Sequence, residues 1–559
     1  MTNTVASEAL ALQRLYHWEK TCPDKVALTQ PVGAGDLCDY TWRQLMDESR
    51  RMAAHLQALG FEPGSHIALL AKNTAHWLMA DFAIWMAGYV SVPLYPTLAA
   101  GTVRQILEHS EARLLFVGKL DEWESMREGI PDGIPCISLP LSPATELPGW
   151  DDIIARTAPL AGNPVRDGDD LATIIYTSGT TGVPKGVMHS FATFAWSTQA
   201  VIRRIGSQDD GRALSYLPLA HVAERTVIEH SLLASNVHIY FSESLETFAD
   251  DIRRARPTLF FSVPRLWVKF QQGVLAKMPA AKLDRLLGIP VVRRIVARRI
   301  LRALGLDQCQ FAGGGAAPMP PELLRWYGRL GLKLSEVYGM TENCGVSHAT
   351  LPDRPRPGTV GPPYDGIQCR LDPSSGEIQV SSPGNMLGYY RDPEQTRRVM
   401  TDDGWLRTGD KGEIDAEGNL RIVGRVKDLF KTGKGKYVAP APIEDRLVNH
   451  AAVEACCVTG ANLGQPLALL MLNAEALQMS ADPERRSELA ESLASHLAAV
   501  NAGLDPHERL DCLVVISEAW TVDNDLVTPT LKVKRNRIEA VYAAHYERWV
   551  GARRPVIWQ

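Results

Sequence analysis

The chain has 559 residues, of which 45% are hydrophobic and 22% are charged, and its formal net charge is -5. This balance gives no electrostatic reason to expect a nucleic acid partner, because proteins that bind one carry excess positive charge where they meet phosphates. The nine cysteines form no Cys-x-x-Cys pair and no metal-binding spacing, which indicates a reducing cytoplasm rather than a disulfide framework or a zinc site.

The first residues contain neither a basic segment nor an apolar one, so no secretory signal is predicted. No window approaches the roughly 18 uninterrupted apolar residues that a membrane-spanning helix needs. We therefore expect a cytoplasmic protein that at most touches a membrane surface.

Short apolar runs alternate with amphipathic helical patterns in the first half of the chain. Helices are predicted after a cap at Asn73-Thr74 and over Thr102 to His109. Strands are predicted at His66 to Leu70, Val90 to Leu94, Arg113 to Val117, Leu171 to Tyr176, Tyr240-Phe241 and Thr258 to Val263. Such alternation predicts βαβ units and an α/β fold with parallel sheets.

After residue 355 the pattern changes to short strands separated by Gly, Pro and Asp. These strands, at 376–380, 405–407, 412–415 and 419–423, predict a small β-rich subdomain over about 355–425. The remaining residues, 426–559, are numerous enough for a core of their own. Their predicted elements are helices at 442–450 and 483–502 and strands at 453–459 and 513–516. We expect a large N-terminal domain, 1–425, hinged to a small α/β domain, 426–559.

The segment from Tyr176 to Gly186, Tyr-Thr-Ser-Gly-Thr-Thr-Gly-Val-Pro-Lys-Gly, is the most informative part of the chain. An apolar run ends at a loop of small residues, followed by Lys185. Glycines let the backbone approach an anion, hydroxyl groups donate hydrogen bonds and the lysine adds a positive charge, as a polyphosphate requires. The spacing does not fit a Walker A loop. A surface linker would rarely follow a buried strand so directly.

This segment is identical to the signature loop of the adenylate-forming superfamily, which includes acyl-CoA synthetases, adenylation domains of peptide synthetases and luciferases. The chain is identified as resembling that superfamily, whose other motifs follow in the expected order. The resemblance implies that Lys185 and six loop residues bind the phosphates of ATP. These loop residues are Thr177, Ser178, Gly179, Thr180, Thr181 and Gly182.

Two further motifs resemble the adenine pocket of the superfamily. Ala312-Gly-Gly-Gly-Ala-Ala-Pro318 would supply one wall through Gly314, Gly315 and Ala316, although a tight turn explains a glycine triplet equally well. In Tyr338-Gly-Met-Thr-Glu-Asn343 the resemblance implies that Tyr338 stacks on adenine, Gly339 borders the acyl pocket, Thr341 bonds the α-phosphate and Glu342 holds Mg²⁺. The alternative for Glu342 is an ordinary residue at a helix start.

The resemblance also assigns residues of the second half of the chain. Asp410 would accept hydrogen bonds from both ribose hydroxyls, with Arg425 beside it, and Lys427 would be the hinge. Lys532 would be the catalytic lysine that bridges the substrate carboxylate and the α-phosphate, where a cation offsets gathering negative charge. Lys534 and Arg535 are the second and third candidates for that role.

Three assignments stay open at this point. His221, in Leu217-Pro-Leu-Ala-His221, resembles a residue lining the acyl pocket, although a histidine after an apolar run is often structural. The lysines of 431–440 would either meet coenzyme A or form a solvated basic turn. The chain has one residue fewer than many relatives before His189, so a functional role for His189 is doubtful.

The motifs most resemble long-chain fatty acyl-CoA synthetases, including the bubblegum type. That resemblance implies an acid–thiol ligase that uses ATP, Mg²⁺ and coenzyme A, forms an acyl-adenylate and releases AMP and pyrophosphate. The alternatives are an aryl-CoA ligase, an acyl-AMP ligase serving a carrier protein, a luciferase-like oxygenase and an idle nucleotide-binding protein. The basic, apolar-rich helix predicted at 290–304 would either contact a membrane or present a solvated arginine face.

Overall fold

The structure is a computed structural model that describes residues 5–177, 184–206, 208–317, 319–351, 354, 356–528 and 532–559. The chain forms two compact units. Unit 1 contains residues 1–369, 380–406 and 418–420, and unit 2 contains 370–379, 407–417 and 421–559.

The strands are β1 (Val26–Gly33), β2 (Asp36–Thr41), β3 (His66–Leu70), β4 (Val90–Leu94), β5 (Leu114–Val117), β6 (Cys136–Ser138), β7 (Leu171–Thr177), β8 (Lys185–Ser190), β9 (Arg212–Ser215), β10 (His238–Phe241), β11 (Leu259–Ser262), β12 (Phe311–Gly315), β13 (Leu334–Tyr338), β14 (His348–Ala349), β15 (Gln368–Leu371), β16 (Glu377–Ser381), β17 (Gly388–Tyr389), β18 (Leu406–Ile414), β19 (Leu420–Arg425), β20 (Phe430–Lys431), β21 (Tyr437–Val438), β22 (Val453–Thr459), β23 (Leu467–Leu472), β24 (Leu513–Ile516) and β25 (Val556–Trp558).

The helices are α1 (Ala11–Thr21), α2 (Trp42–Ala58), α3 (Ala75–Met86), α4 (Ala100–Ser110), α5 (Trp123–Met126), α6 (Trp150–Arg156), α7 (Phe191–Ile205), α8 (Val222–Val227), α9 (Glu229–Ser235), α10 (Phe248–Ala255), α11 (Pro264–Lys277), α12 (Ala280–Leu287), α13 (Pro290–Ala303), α14 (Pro321–Arg329), α15 (Pro393–Val399), α16 (Pro440–Leu447), α17 (Ala474–Met479), α18 (Pro483–Ala502), α19 (Arg535–Tyr542) and α20 (Tyr546–Gly551).

Unit 1 contains three sheets of the α/β type. The largest has the order β17-β8-β7-β4-β3-β5-β6, and a second has the order β2-β1-β10-β9. A third sheet has the order β11-β12-β13-β14, in which β12 runs parallel to both β11 and β13. The first sheet is parallel from β7 to β6, whereas β8 is antiparallel to β7 and β17 is antiparallel to β8. The sheets are therefore mixed at one edge rather than purely parallel.

Helix α3 shows why the local sequence folds this way. The Thr74 side chain accepts a hydrogen bond from Trp77 N and caps the helix, as predicted. Every residue of α3 is buried, in keeping with its apolar composition on all sides. The helix thus belongs to a core cluster that it shares with Ile67 and Leu69 of β3 and with residues of α2.

Unit 2 contains a sheet of order β22-β23-β24-β25, with separate apolar clusters formed by the two sets of its buried side chains. A second sheet, of order β15-β16-β18-β19, lies mainly in this unit. The hairpin of β20 and β21 completes the strand set. The domain boundary between 425 and 426 stays a prediction.

Most predicted elements are present, and several strand limits agree residue for residue, among them β3, β4, β22 and β24. One prediction was wrong in detail. The strands predicted at 405–407 and 412–415 form the single strand β18, because buried and less buried residues alternate through the glycine positions. The glycine triplet at 313–315 lies within strand β12, which excludes the alternative of a tight turn at these three residues. Among the described residues, no helix is both long and apolar enough to cross a bilayer.

Candidate functional site

The glycine-rich loop is bounded by two strand ends that face each other. Thr177, the last residue of β7, pairs with Lys185, the first residue of β8. Residues 178–183 between them lie outside the described residues, so the roles predicted for Ser178, Gly179, Thr180, Thr181 and Gly182 stay predictions. The ammonium group of Lys185 lies 5.4 Å from the centre of the Tyr389 ring, a cation–π distance.

Tyr389 connects Lys185 with Glu342. The Tyr389 hydroxyl donates a hydrogen bond to Oε1 of Glu342 at 2.7 Å. Burial, together with the Glu342 charge, raises the pKa of Tyr389, so the phenol stays protonated and remains a donor. The Glu342 carbonyl oxygen also accepts a hydrogen bond from Met386 N, at 2.8 Å. The structure thus brings two predicted site residues to one tyrosine that sequence reasoning missed.

The chemistry around Glu342 fits a magnesium ion bound mainly through a nucleotide. Among the described residues there is no cluster of three or more His, Cys, Asp or Glu side chains that could hold a metal. Glu342 is half-buried, and its Oε1 accepts the hydrogen bond from Tyr389. A single carboxylate suits Mg²⁺, which usually takes one or two carboxylates and fills its shell with phosphate oxygens and water.

His189 has a structural role next to Thr341. Its Nε2 donates a hydrogen bond to the Thr341 carbonyl oxygen at 2.7 Å, and its Nδ1 lies 3.3 Å from Sγ of Cys344. Burial lowers the pKa of His189 to about 4, so the ring is neutral at neutral pH. The backbone of the Thr341–Asn343 turn is therefore held by a neutral histidine. The doubt about His189 as a catalytic group agrees with this position.

Glycine is required beside the turn because two backbone segments touch. A Cβ atom on Gly339 would lie 2.2 Å from the carbonyl carbon of Gly345, whose φ is +72°. A similar limit applies to strand β12, where a Cβ on Gly315 would lie 2.6 Å from the Val337 carbonyl oxygen. Tyr338 ends strand β13 and lies next to His348, with ring centres 6.0 Å apart. These glycines keep β12, β13 and the following turn close together.

Ala316 follows Gly315 directly and has a φ of +66°, in the left-handed region. It therefore lies at a change of chain direction after β12. Gly314, Gly315, Ala316 and Tyr338 belong to neighbouring strand ends, as a shared adenine pocket would require.

His221 is the N-cap of helix α8, where its Nδ1 accepts a hydrogen bond from Ala223 N at 3.1 Å. Its ring centre lies 6.5 Å from that of Tyr95. The histidine is half-buried, at the end of the segment 216–221. It therefore caps a helix and also borders the apolar surroundings of Tyr95.

Two buried side chains hold the segment that leads to His221. Asn73 donates to the Leu217 carbonyl oxygen at 2.5 Å and accepts from Leu219 N at 3.0 Å. Oε1 of Glu224 accepts hydrogen bonds from Tyr216 N at 2.9 Å and from Ser215 Oγ at 3.1 Å. Burial raises the pKa of Glu224 to about 8. The path of the segment is thus defined from both sides.

A buried ionic network anchors α8 and α9 to α3. Arg225 forms ion pairs with Asp81 and, at 2.8 Å, with Glu229, and all three side chains are fully buried. The Arg225 guanidinium also lies between 5.5 and 5.6 Å from the ring centres of Trp77, Trp85 and Phe194. Burial raises the pKa of Glu229 above its usual range. Sequence reasoning missed this network, because Asp81 is 144 residues from Arg225 in the chain.

In unit 2, the predicted ribose ligands are adjacent. Nε of Arg425 lies 3.0 Å from Oδ1 of Asp410, and Nη1 of Arg425 donates to the Thr408 carbonyl oxygen at 3.3 Å. Asp410 is buried on β18, while Arg425 ends β19 and is exposed. A carboxylate in the middle of β18 is thus oriented by a guanidinium at the end of the neighbouring strand β19.

Lys532 lies near the same pair within unit 2. Its backbone is held by Thr528, which donates its N–H to the Lys532 carbonyl oxygen at 2.8 Å and accepts from Lys532 N at 3.1 Å. The pKa of Lys532 is lowered, first by surrounding protein atoms that reduce its hydration and then by Arg425, while Asp410 opposes the shift. Lys532 is nevertheless exposed to solvent, so the neighbouring protein atoms crowd its side chain without enclosing it.

The two lower-ranked candidates have other partners. Lys534 is ion-paired with Asp525. Arg535 donates two hydrogen bonds to the Glu444 carboxylate, at 2.7 and 2.9 Å, and so joins α19 to α16. Both residues are thus held in contacts that stabilise unit 2.

The lysine-rich segment forms the exposed hairpin of β20 and β21. Lys431 lies 4.8 Å from the centre of the Tyr437 ring, while Lys434 and Lys436 are exposed near the connection between the strands. Lys427 is exposed in the turn before this hairpin. The roles of these lysines in coenzyme A binding and of Lys427 as hinge stay predictions.

Two family models match the chain over most of its length. A model described as AMP-binding enzyme matches residues 15–390, and one described as AMP-binding enzyme C-terminal domain matches residues 427–549. The chain is 30% identical to "Long chain acyl-CoA synthetase 6, peroxisomal" of Arabidopsis thaliana, over 91% of this chain and 81% of that protein. It is 29% identical to "Long-chain-fatty-acid--CoA ligase FadD15" of Mycobacterium bovis, over 97% of each chain.

Solved structures with the same fold include two adenylating proteins. The adenylation domain of a carboxylate reductase from Mycobacterium chelonae has a TM-score of 0.80 and 23% identity, with 97% of this chain and 91% of that chain covered. The anthranilate CoA ligase AuaEII has a TM-score of 0.78 and 21% identity, with 98% and 100% covered. These likenesses show the α/β fold predicted from the sequence.

Proposed function

This chain belongs to the AMP-binding enzymes, and we propose that it activates a long-chain fatty acid with ATP and transfers the acyl group to coenzyme A. The observation that carries this proposal is the grouping of Lys185 and Glu342 around Tyr389, next to the turn that contains Thr341. A cation, a carboxylate and a hydroxyl residue in one region suit a bound triphosphate. The names of the long-chain relatives support the choice of acid.

The proposed reaction has two steps. In the first, a carboxylate oxygen attacks the α-phosphorus of ATP, which forms the acyl-adenylate and expels pyrophosphate. In the second, the sulfur of coenzyme A attacks the acyl carbon, which forms the thioester and expels AMP, while the thiol proton passes to solvent. Both steps gather negative charge, so cationic side chains that face the reacting groups would lower the barrier.

Each site residue has a proposed task. Lys185 and Thr341 would bind phosphate oxygens, and Lys532 would offset charge between the acid and the α-phosphate. Mg²⁺ would be held by Glu342 together with phosphate oxygens, and when bound it supplies positive charge next to the triphosphate. Asp410 would accept hydrogen bonds from the ribose, oriented for this by Arg425.

The adenine and the acyl chain would occupy neighbouring parts of unit 1. Gly314, Gly315, Ala316 and Tyr338 would enclose the adenine, because the glycines leave flat backbone beside an aromatic ring. His221 and Gly339 would border the acyl chain.

The location of the enzyme is a further part of the proposal. Nine free cysteines support a reducing cytoplasm. Peripheral contact with the inner face of a membrane through residues 290–304 would bring the enzyme to a surface where long-chain acids accumulate.

The test is pyrophosphate release from ATP and Mg²⁺ across short, medium and long fatty acids and aryl acids, with and without coenzyme A. We expect turnover that requires coenzyme A and is fastest with long chains. Slow release that ignores coenzyme A would point to another acceptor, and a preference for aryl acids would contradict the proposed substrate. No release with any acid would contradict the proposed function.

A further inference from the structure

The turn formed by residues 341–344 is held from strand β8 by a single imidazole ring. Nε2 of His189 donates a hydrogen bond to the Thr341 carbonyl oxygen at 2.7 Å, and Nδ1 of the same ring lies 3.3 Å from Sγ of Cys344. Thr341 is the first residue of the turn and Cys344 is its C-cap. One side chain of β8 therefore contacts both ends of the 341–344 turn, which also carries Glu342.

The partners of His189 define which of its two nitrogens carries the hydrogen. A carbonyl oxygen can only accept, so Nε2 is the donor, and Nδ1 of the neutral ring must then accept. The Thr193 hydroxyl, 3.4 Å from Nδ1, donates instead to the Ser190 carbonyl oxygen at 2.8 Å. Burial raises the pKa of the Cys344 thiol to about 12, so the thiol keeps its proton and its S–H group donates to Nδ1.

Helix α8 holds the same turn through a different carbonyl group. The Thr226 hydroxyl donates a hydrogen bond to the Cys344 carbonyl oxygen at 3.2 Å. The next residue, Gly345, lies against the first turn of α8, because a Cβ atom placed on Gly345 would be 3.7 Å from Cγ1 of Val222. Since α8 begins after its N-cap His221, the 341–344 turn is connected to the segment that borders the proposed acyl site.

The backbone of the turn depends on these contacts. Cys344 is fully buried and has a φ of +56°, in the left-handed region that residues other than glycine adopt uncommonly. A strained conformation of this kind persists where the surrounding structure fixes it, and such positions cluster at functional sites. The contacts of Cys344 with His189 and Thr226 therefore hold a conformation that the turn would not keep on its own.

We propose that His189 and Thr226 are positioning residues for adenylation, because they fix the 341–344 turn where it meets the nucleotide. Lys185 begins β8 and His189 lies further along the same strand, so the distance from Lys185 to Glu342 depends on the hydrogen bonds of His189. Thr226 fixes the turn relative to α8. Each side chain acts through the backbone of the turn and not through the substrate. The inference rests on the proposed function for the roles of Thr341 and Glu342.

The experiment compares variants of the full chain that differ in side-chain reach or in one hydroxyl group. In H189Q the amide nitrogen can take the place of Nε2 and donate to the Thr341 carbonyl oxygen, whereas the shorter side chain of H189N cannot reach it. H189N should lower kcat for pyrophosphate release about 10²-fold, as small misplacements in an active site do, while H189Q should stay within about tenfold of the unchanged chain. T226V removes one neutral hydrogen bond and should lower kcat about tenfold, and T226S should restore it.

Two further readouts separate positioning from a merely structural role. The magnesium concentration that gives half the maximal rate should rise in H189N and T226V, because both loosen the turn that carries Glu342. The KM for the fatty acid should change less than about twofold, since neither side chain borders the acid in our proposal. The double variant H189N/T226V should lower kcat by less than the product of the two single effects, because both residues act on one turn.

Matched controls come from the same residue types in other helices of unit 1. His230 of α9 is a second buried histidine, whose ring stacks on Phe194 with centres 4.4 Å apart, and H230N should leave the magnesium requirement unchanged. The Thr198 hydroxyl donates to the Phe194 carbonyl oxygen within α7, so T198V is the control for T226V. Circular dichroism and the thermal midpoint identify the variants that fold. If H189N does not fold, the comparison of T226V with T226S decides.

Three outcomes would overturn the inference: H189N or T226V with the kcat and magnesium requirement of the unchanged chain, equal loss in H189N and H189Q, or equal loss in the control variants. If the unchanged chain releases pyrophosphate, each of these outcomes refutes only the positioning role. If it releases none, the proposed function is contradicted, and calorimetric binding of MgATP decides the inference. H189N should then bind MgATP about tenfold more weakly than H189Q, and equal binding would refute the positioning role.

Discussion

Tyr389 donates its hydroxyl hydrogen to Glu342 across 47 residues of sequence, and the same ring lies next to the ammonium group of Lys185. The phenol therefore touches a carboxylate at one end while its face meets a cation. Because Tyr389 belongs to strand β17, which pairs with β8, its position is set by the sheet that also positions Lys185. Glu342 is thus oriented by groups of unit 1 itself.

This relationship predicts different effects for Glu342 and Tyr389. Glu342→Gln should lower the rate of adenylation by about 10²-fold or more, because the charge that meets the metal is lost. Tyr389→Phe should cost about tenfold, since one hydrogen bond to a charged group is removed. The measurement is pyrophosphate release as a function of magnesium concentration.

For Tyr389→Phe the lost rate should be recovered in part by excess magnesium, because the carboxylate remains. Tyr390→Phe, the adjacent tyrosine whose hydroxyl contacts Glu111, is the matched control and should change little. A Glu342→Gln enzyme with an unchanged magnesium requirement would refute the assignment of the metal ligand.

Lys532→Ala should lower adenylation by about 10²- to 10³-fold, as removal of a group that stabilises transition-state charge does. Lys534→Ala should cost less than about tenfold in the same assay, because the ion pair of Lys534 with Asp525 is remote from chemistry in our proposal. Single-turnover adenylate formation is the suitable measurement. The ranking of the two lysines would be reversed if Lys534→Ala proved the more damaging change.

The pH dependence of adenylation offers a separate test of Lys532. The lysine must be protonated to act as a cation, so activity should fall as pH rises through its pKa, which lies below the ordinary value of 10.5. Arg425→Gln removes a charge that lowers this pKa and should move the alkaline limb to higher pH. Asp410→Asn should move it to lower pH. A limb that stays in place in both variants would show that another group titrates.

Gly339→Ala should destabilise unit 1 by about 3 kcal/mol or more, because the new methyl group would overlap the Gly345 backbone. Gly328→Ala is the matched control: Gly328 lies in helix α14 with open space around its Cα, so alanine should add about 0.5–1 kcal/mol of stability. Chemical denaturation followed by fluorescence measures both. Equal stability of the two variants would contradict the close packing at Gly339.

Glu224 should make unit 1 less stable as pH rises. Its pKa is about 8 in the folded chain and is raised from an ordinary 4.5 by burial, so the folded state keeps a proton that the unfolded state loses. The stabilisation that Glu224 gives to the folded state is fully present below about pH 4.5. It is lost as pH rises toward about 8, and the free energy of unfolding falls by at most about 1.4 kcal/mol per pH unit.

Glu224→Gln cannot titrate, so the thermal midpoint of this variant should fall less between pH 5 and 8 than that of the unchanged chain. The control is Glu243→Gln at a half-buried carboxylate elsewhere in unit 1. The predicted role of Glu224 fails if both variants show the slope of the unchanged chain.

Elements with strong local patterns were predictable from the sequence. Strands β3 and β4 are buried apolar runs with polar boundaries, so their limits could be read directly. Thr74 caps α3 through its own neighbours, which is a local relationship. Asn73, next to it, instead bonds the segment around Leu217, and no local pattern can reveal a partner so distant in the chain.

The residues of the candidate site also divide into those that the sequence identifies and those that only tertiary contacts bring to the site. The resemblance pointed to Lys185 and Glu342, but not to Tyr389, because β17 joins the sheet only through tertiary pairing. The glycine triplet was open between a wall of the adenine pocket and a tight turn, and only its pairing with β13 shows that it lies in a strand. Arg535 was the third candidate for the catalytic cation in the sequence, yet it forms an ion pair with Glu444.

The Arg225 network places one guanidinium between two carboxyl groups that have no access to water. Asp81 and Glu229 both contact Arg225, and all three side chains are fully buried. Replacing Arg225 alone leaves two buried carboxyl groups without their cation and should be severe, whereas a simultaneous apolar replacement of all three residues could be tolerated. Where α3, α8 and α9 meet, three coordinated substitutions should therefore cost less stability than one.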